Sequence, residues 1–94
     1  MTGVDHSILD WLGEHNIVIT PRVIFDNLER ELPEAEVPSY RHVSRRVKFL
    51  ADEVGVLKRY EGKRGKYMLS ELGRRYLNDD LADDERERLA NLDE

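Results

Sequence analysis

Residues 39–55 read SYRHVSRRVKFLADEVG, a stretch that combines the pattern of an amphipathic helix with a stop signal. Apolar residues recur there at the spacing of one helix face: Val43, Val47, Leu50 and Val54. Ser39 can cap the start of this helix, and Gly55 stands where a left-handed residue commonly ends one. The stretch therefore predicts a helix whose apolar side packs against a core.

The other side of this predicted helix is basic. At about 100° per residue, Arg41, Arg45 and Lys48 fall within about 40° of the direction opposite the apolar side. Ser44 and His42 flank this basic stripe, and no acidic residue interrupts it between Arg41 and Lys48. Arginine in the first half of a helix that enters the major groove can bond guanine O6 and N7, whereas a later lysine suits a phosphate. We expect these five residues to contact DNA; the alternative is a solvated charged face.

The residues after Gly55 predict a β-hairpin with a basic tip. Its strands cover residues 56–60 and 66–69, and glycines at 62 and 65 suit the turn between them. The bases expected to contact DNA are Lys63 and Arg64 at the tip and Arg59 and Lys66 on the arms. They can lie along a phosphate backbone or enter the minor groove. The alternative is an edge hairpin that its charges keep soluble.

Two helices and a short strand are predicted before residue 39. The first helix is capped by Asp5 and ends near His15, and β-branched residues 17–19 predict a strand. The second helix is capped by Thr20 and ends near Leu32, because the proline that follows disfavours helix. Its inward side is expected to carry Val23, Ile24 and Leu28.

A last helix is predicted after the hairpin, with Ser70 as its cap and Leu72, Tyr76 and Leu77 as its apolar residues. The resulting order is helix, strand, helix, helix, strand, strand, helix. This order is that of a winged helix-turn-helix domain, mostly α with a small β-hairpin, in which the hairpin is the wing. We assign residues 1–78 to this DNA-binding domain and residues 79–94 to an acidic C-terminal tail or short helix.

The charge of the chain is unevenly distributed. The 94 residues carry a net charge of −5, which alone argues against nucleic acid as a partner. Residues 38–67, however, hold nine basic and three acidic residues, a net +6, between two acidic flanks. Such a concentrated basic block favours nucleic-acid binding. Acidic flanks and a preference for arginine over lysine are compatible with a halophilic source.

Several other functions are disfavoured. The chain has no cysteine, which excludes thiolate metal sites and disulfides, and its three histidines lack metal-ligand spacing. No glycine-rich phosphate loop or nucleophile motif is present, so we expect no enzyme activity, no cofactor and no small-molecule ligand. No apolar run approaches the ~18 residues of a membrane span, and the start does not resemble a secretory signal. We therefore expect a cytoplasmic protein without a membrane partner.

Four side chains have two possible roles. Arg46 lies nearer the apolar side of its helix, where it can reach either a DNA phosphate or an acid on another helix. Tyr40 and Tyr67 can stack on bases, but we expect both to pack against the core. Trp11 belongs either to the core or to the interface of a homodimer.

The sequence resembles a family of haloarchaeal winged-helix proteins that are similar to the repressor of the halophilic phage phi-H. The resemblance covers residues 5–81 and rests on Thr20-Pro21, on Val-Ser-Arg-Arg at residues 43–46 and on Leu-Gly-Arg-Arg-Tyr-Leu at residues 72–77. It departs from the family at residues 32–37, where the connection to the predicted recognition helix is longer. The resemblance implies a DNA-binding regulator.

The sequence therefore predicts sequence-specific binding of double-stranded DNA by a small archaeal transcription regulator, repressor-like in type. A homodimer is possible, through Trp11, the helix around Tyr76 and Leu77, or the leucines of the tail: Leu81, Leu89 and Leu92. The alternative function is a winged-helix module that binds another protein in a transcription or replication complex. That alternative would use an exposed apolar face instead of Arg41 and Arg45.

Overall fold

The computed structural model describes residues 3–61 and 64–91. Helices dominate these residues, in agreement with the sequence prediction, and one antiparallel hairpin accompanies them. The elements are α1 (Gly3–His15), α2 (Pro21–Glu31), α3 (Tyr40–Phe49), β1 (Leu57–Arg59), β2 (Tyr67–Leu69), α4 (Glu71–Leu77) and α5 (Asp83–Asn91). A 3₁₀ turn at Glu34–Glu36 precedes α3, and a π-helical turn at Leu50–Val54 follows it. Within the described residues, no helix has the length and apolar character that crossing a membrane requires.

The predicted helix signals are confirmed where they depend on local hydrogen bonds. The side chains of Thr20, Ser39 and Ser70 each accept a hydrogen bond from the backbone N–H three residues later, so each caps its helix. Gly55 has φ +91° and ends the turn after α3, as predicted. Asn16, with φ +47°, follows the last residue of α1.

Asp5 does not cap α1, contrary to the prediction. The helix begins at Gly3, and the Asp5 side chain is buried within it, where it forms an ion pair with Arg46 of α3. The error has a physical cause, since a carboxylate near a helix start can serve the free backbone N–H groups or a partner from another element. Sequence spacing within α1 cannot reveal such a partner.

The apolar face of α3 and its continuation is buried as predicted. Val43, Val47 and Leu50 are fully shielded from water, and Val54 is nearly so. The chain after α3 widens into a π-helical turn, in which the backbone N–H of Gly55 bonds the carbonyl of Leu50 at 2.8 Å. The core around this face takes its other members from α1, α2, the hairpin, α5 and the segments just before α2 and β1: Ile8, Leu9, Trp11, Leu12, Ile19, Ile24, Leu28, Val56, Leu57, Tyr67, Leu69 and Leu89.

The described residues contain two strands instead of the three predicted. Residues 17–19 form only an isolated bridge, in which Ile19 exchanges two backbone hydrogen bonds with Tyr67 at 2.7 and 2.9 Å. The pairing stops there because Thr20 already begins the next helix. The hairpin strands are also shorter than predicted, and their register pairs Leu57 with Leu69 and Arg59 with Tyr67.

Two side chains predicted to lie inside are exposed. Val23 is 39% exposed, because Pro21, Ile24 and Leu28 form the buried stripe of α2 and Val23 lies roughly 100° away from it. Tyr40 is also 39% exposed, and its ring meets the edge of Phe25 at a centroid distance of 5.8 Å. The other tyrosine that we expected in the core, Tyr67, is buried there.

The acidic C-terminal segment forms a helix that packs on the rest of the chain. Leu89 of α5 is buried in the core, and Arg75 of α4 makes two hydrogen bonds to the Glu85 carboxylate. Trp11 is buried too, with its indole N–H donating to Glu31. Trp11 and Leu89 are therefore used within the chain and are not free to form a dimer interface, and Leu92 lies outside the described residues. Dimerisation itself stays a prediction.

Candidate nucleic-acid interface

The basic stripe of α3 is exposed along its length. Arg41, Arg45 and Lys48 are all exposed, while His42 and Ser44 beside them are half-buried. Their outward direction follows from the burial of Val43 and Val47, which sets the rotation of the helix about its axis. Arg41 and Arg45 make no hydrogen bond or ion pair with another residue in the described part of the chain. Their guanidinium groups are thus available to an external acceptor.

Arg46, the neighbour of Arg45, has a different environment. Its side chain is buried and donates to both carboxylate oxygens of Asp5, at 2.8 and 2.6 Å. Of the two roles considered from sequence, the acid on another helix is confirmed. Arg46 thus joins α3 to α1 and is not one of the exposed bases.

The bases of the hairpin fall into two groups. Arg64 and Lys66 are exposed in the loop and at the start of the returning arm, and Lys63 lies outside the described residues. Arg59 is engaged by an acid, since its Nε and Nη2 donate to the two carboxylate oxygens of Asp52 at 3.0 and 2.8 Å. Its guanidinium carbon also lies 5.2 Å from the centroid of the Tyr67 ring.

Asp52 connects the basic stripe of α3 with the hairpin. It lies in the π-helical turn between α3 and β1, where its carboxylate is held by Arg59. The hydrogen bonds from Arg59 hold the pKa of Asp52 below its ordinary value, and the charge of nearby Lys48 adds a smaller effect in the same direction. Lys48, Asp52 and Arg59 therefore form one continuous charged surface from helix to strand.

The structure adds one basic residue that the sequence prediction missed. Arg22, in the first turn of α2, places its guanidinium carbon 5.2 Å from the ring centroid of Tyr40 and 5.4 Å from that of Phe25. Tyr40 is the first residue of α3, so Arg22 lies at the start of the helix that carries Arg41. Arg22 is largely exposed and forms an i,i+4 pair with Asp26 at 3.4 Å. The sequence prediction missed Arg22 because this residue lies in the acidic first third of the chain, outside the basic block at residues 38–67.

The described residues include no cluster of three or more histidine or carboxylate side chains that could hold a metal ion. Comparisons of the chain with protein-family models, with curated proteins and with solved structures found no match. The function must therefore be inferred from the chemistry of the chain itself.

Proposed function

We propose that the chain is a winged helix-turn-helix domain that binds double-stranded DNA in a sequence-specific manner. In this proposal α2 and α3 form the helix-turn-helix, α3 enters the major groove, and the hairpin is the wing. The observation that carries the proposal is the pair Arg41 and Arg45, exposed one turn apart in the first half of α3. Neither has an acidic partner among the described residues, so both can donate to an acceptor on DNA.

The chemistry of these side chains favours DNA over a protein partner. Arginine presents a planar fork of donors that matches guanine O6 and N7 or a phosphate. Lys48, Arg64 and Lys66 supply further exposed positive charge for the backbone.

We further propose that the protein is a small archaeal transcription regulator of the repressor type. This proposal rests on the motifs at residues 20–21, 43–46 and 72–77, which resemble those of the haloarchaeal winged-helix family. Two of these motifs lie at the helices in which the resemblance expects them. Thr20 caps α2, and residues 43–46 lie in the middle of α3. The longer connection at residues 32–37 contains a 3₁₀ turn, which sets how α3 follows α2.

A selection of bound fragments from a pool of random DNA duplexes tests the proposal. We expect one sequence motif to be enriched, and the logarithm of its affinity to fall linearly with the logarithm of salt concentration. The pool should be selected in parallel with the double variant Arg41→Ala/Arg45→Ala, which should enrich no motif. If the unmodified protein enriches no duplex and binds none in a salt-dependent manner, the proposal is wrong.

A further inference from the structure

An acidic residue stands between the bases of the candidate interface. Asp52 is about half-exposed, and both of its carboxylate oxygens accept hydrogen bonds from Arg59. Arg59 is further restrained by the Tyr67 ring on the paired strand. Among the described bases predicted to contact DNA, Arg59 is the one whose guanidinium is held by a carboxylate.

This arrangement has a consequence for DNA binding, if the proposed function holds. An unpaired Arg59 at the base of the hairpin would be free to neutralise a phosphate of any sequence. The Arg59–Asp52 pair carries no net charge, whereas an unpaired Arg59 would carry a full positive charge. Because phosphate neutralisation dominates nonspecific binding, the pair lowers affinity for DNA regardless of sequence.

We propose that Asp52 restrains Arg59 and so lowers the affinity of the site for the phosphate backbone of DNA. A phosphate contact carries no sequence information, so the selected duplex and a random duplex are affected alike. The ratio between specific and nonspecific affinity is therefore set by Arg41 and Arg45 and not by Asp52.

The test compares Asp52→Asn with Glu53→Gln on a duplex of random sequence and on the duplex that the unmodified protein selects. Glu53 is the adjacent exposed acid in the same turn and has no hydrogen bond or ion pair with another described residue. Both substitutions remove one negative charge, but only Asp52→Asn removes the carboxylate to which Arg59 donates. Affinity is measured by fluorescence anisotropy from about 0.1 M to about 1 M salt.

We expect Asp52→Asn to steepen the salt dependence on random DNA by about 0.9, the contribution of one additional phosphate contact. As the salt concentration falls from about 1 M to about 0.1 M, the affinity of the variant for random DNA then rises roughly eightfold more than that of the unmodified protein. Glu53→Gln should show a smaller change, and the ratio of selected to random affinity should stay the same in both variants. In an Arg59→Gln background, Asp52→Asn should lose its effect on the salt dependence.

Three results would overturn the inference. Two of them would leave the proposed DNA binding intact, and the third would contradict it as well. Equal effects of Asp52→Asn and Glu53→Gln would reduce Asp52 to a general negative charge, and DNA binding itself would stand. The same conclusion follows if the effect of Asp52→Asn persists without Arg59. If the unmodified protein shows no salt-dependent binding to either duplex, the proposed function fails and the inference fails with it.

Discussion

Arg46 of α3 forms a bidentate ion pair with Asp5 of α1, in which Nε donates to Oδ1 at 2.8 Å and Nη2 donates to Oδ2 at 2.6 Å. The two side chains are only 8% and 0% exposed. The Arg46 guanidinium carbon also lies 4.4 Å from the centroid of the Phe49 ring. A bidentate pair defines orientation as well as distance. The pair therefore helps to set the orientation of α3 on α1. Together with the burial of Val43 and Val47, it determines the side of α3 on which Arg41 and Arg45 are exposed.

Substitution of Asp5 by asparagine should destabilise the fold strongly. The guanidinium of Arg46 would stay buried without the Asp5 carboxylate to which it donates, and we expect a loss of about 3–5 kcal/mol in the free energy of unfolding. Urea denaturation measures this loss. Asp10→Asn is the control, because Asp10 is exposed on the same helix, and it should change stability by less than about 0.5 kcal/mol. Similar losses for the two variants would show that the buried pair has no special role.

The close approach of Gly73 to the backbone of Val56 leads to a second prediction about stability. A Cβ atom at residue 73 would lie 2.0 Å from the carbonyl oxygen of Val56 and 2.8 Å from Leu69 Cδ1. The first of these neighbours is backbone and cannot move without displacing the start of the hairpin. We expect Gly73→Ala to cost about 3 kcal/mol or more in thermal or urea unfolding.

Gly3→Ala provides the control for this substitution. Gly3 is exposed at the start of α1, and a Cβ atom there would meet nothing within 4 Å. Its stability should be unchanged or slightly higher, because alanine is the better helix former. A Gly73→Ala variant as stable as Gly3→Ala would mean that α4 does not approach the hairpin as closely as described.

The features that the sequence predicted correctly depend on neighbours in the chain. The caps at Thr20, Ser39 and Ser70 bond a backbone group three residues away, and the outward direction of Arg41 and Arg45 follows from helical periodicity. The wrong or missing features depend on distant residues. Asp5 and Arg46 are 41 residues apart, so the sequence showed a capping acid where the fold has a buried ion pair.

In the candidate site, too, the sequence did not predict a contact between two elements, although the two residues are close in the chain. Asp52 and Arg59 are only seven residues apart, but a π-helical turn and the start of a strand lie between them. Residue spacing within the helix or within the hairpin does not show that the chain brings the Asp52 carboxylate to the Arg59 guanidinium. The sequence therefore predicts that Arg59 contacts DNA from the hairpin arm but does not predict its ion pair with Asp52.

The proposed contacts of Arg41 and Arg45 with DNA bases can be distinguished from general attraction to DNA. Arg41→Ala or Arg45→Ala should cost ~1–3 kcal/mol on the selected duplex and relax the preference at one base pair. The affinity for a random duplex should fall much less. Arg86→Ala on α5 is the control, since this exposed base pairs with Asp79 outside the proposed interface. Equal losses on both duplexes would mean that the two arginines contact only phosphates.

The attachment of α5 should depend on pH through Glu85. Arg75 donates to both oxygens of the Glu85 carboxylate at 2.6 and 2.7 Å, and the backbone N–H of Ala82 donates to one of them at 3.0 Å. The hydrogen bonds from Arg75, followed by the bond from Ala82, lower the pKa of Glu85 from 4.5 to about 2.

Because the pKa of Glu85 is lower in the folded protein than in the unfolded chain, its contribution to stability is complete above about pH 4.5 and is lost as the pH falls towards about 2. Amide hydrogen exchange of α5, compared at about pH 6 and about pH 3, should show loosening of the helix at the lower pH. In Glu85→Gln the helix should already be looser at the higher pH and should change less on acidification. Glu87→Gln, an exposed neighbour on the same helix, should behave like the unmodified protein. If Glu85→Gln has the same pH dependence as Glu87→Gln, the Arg75–Glu85 pair does not hold α5 in place.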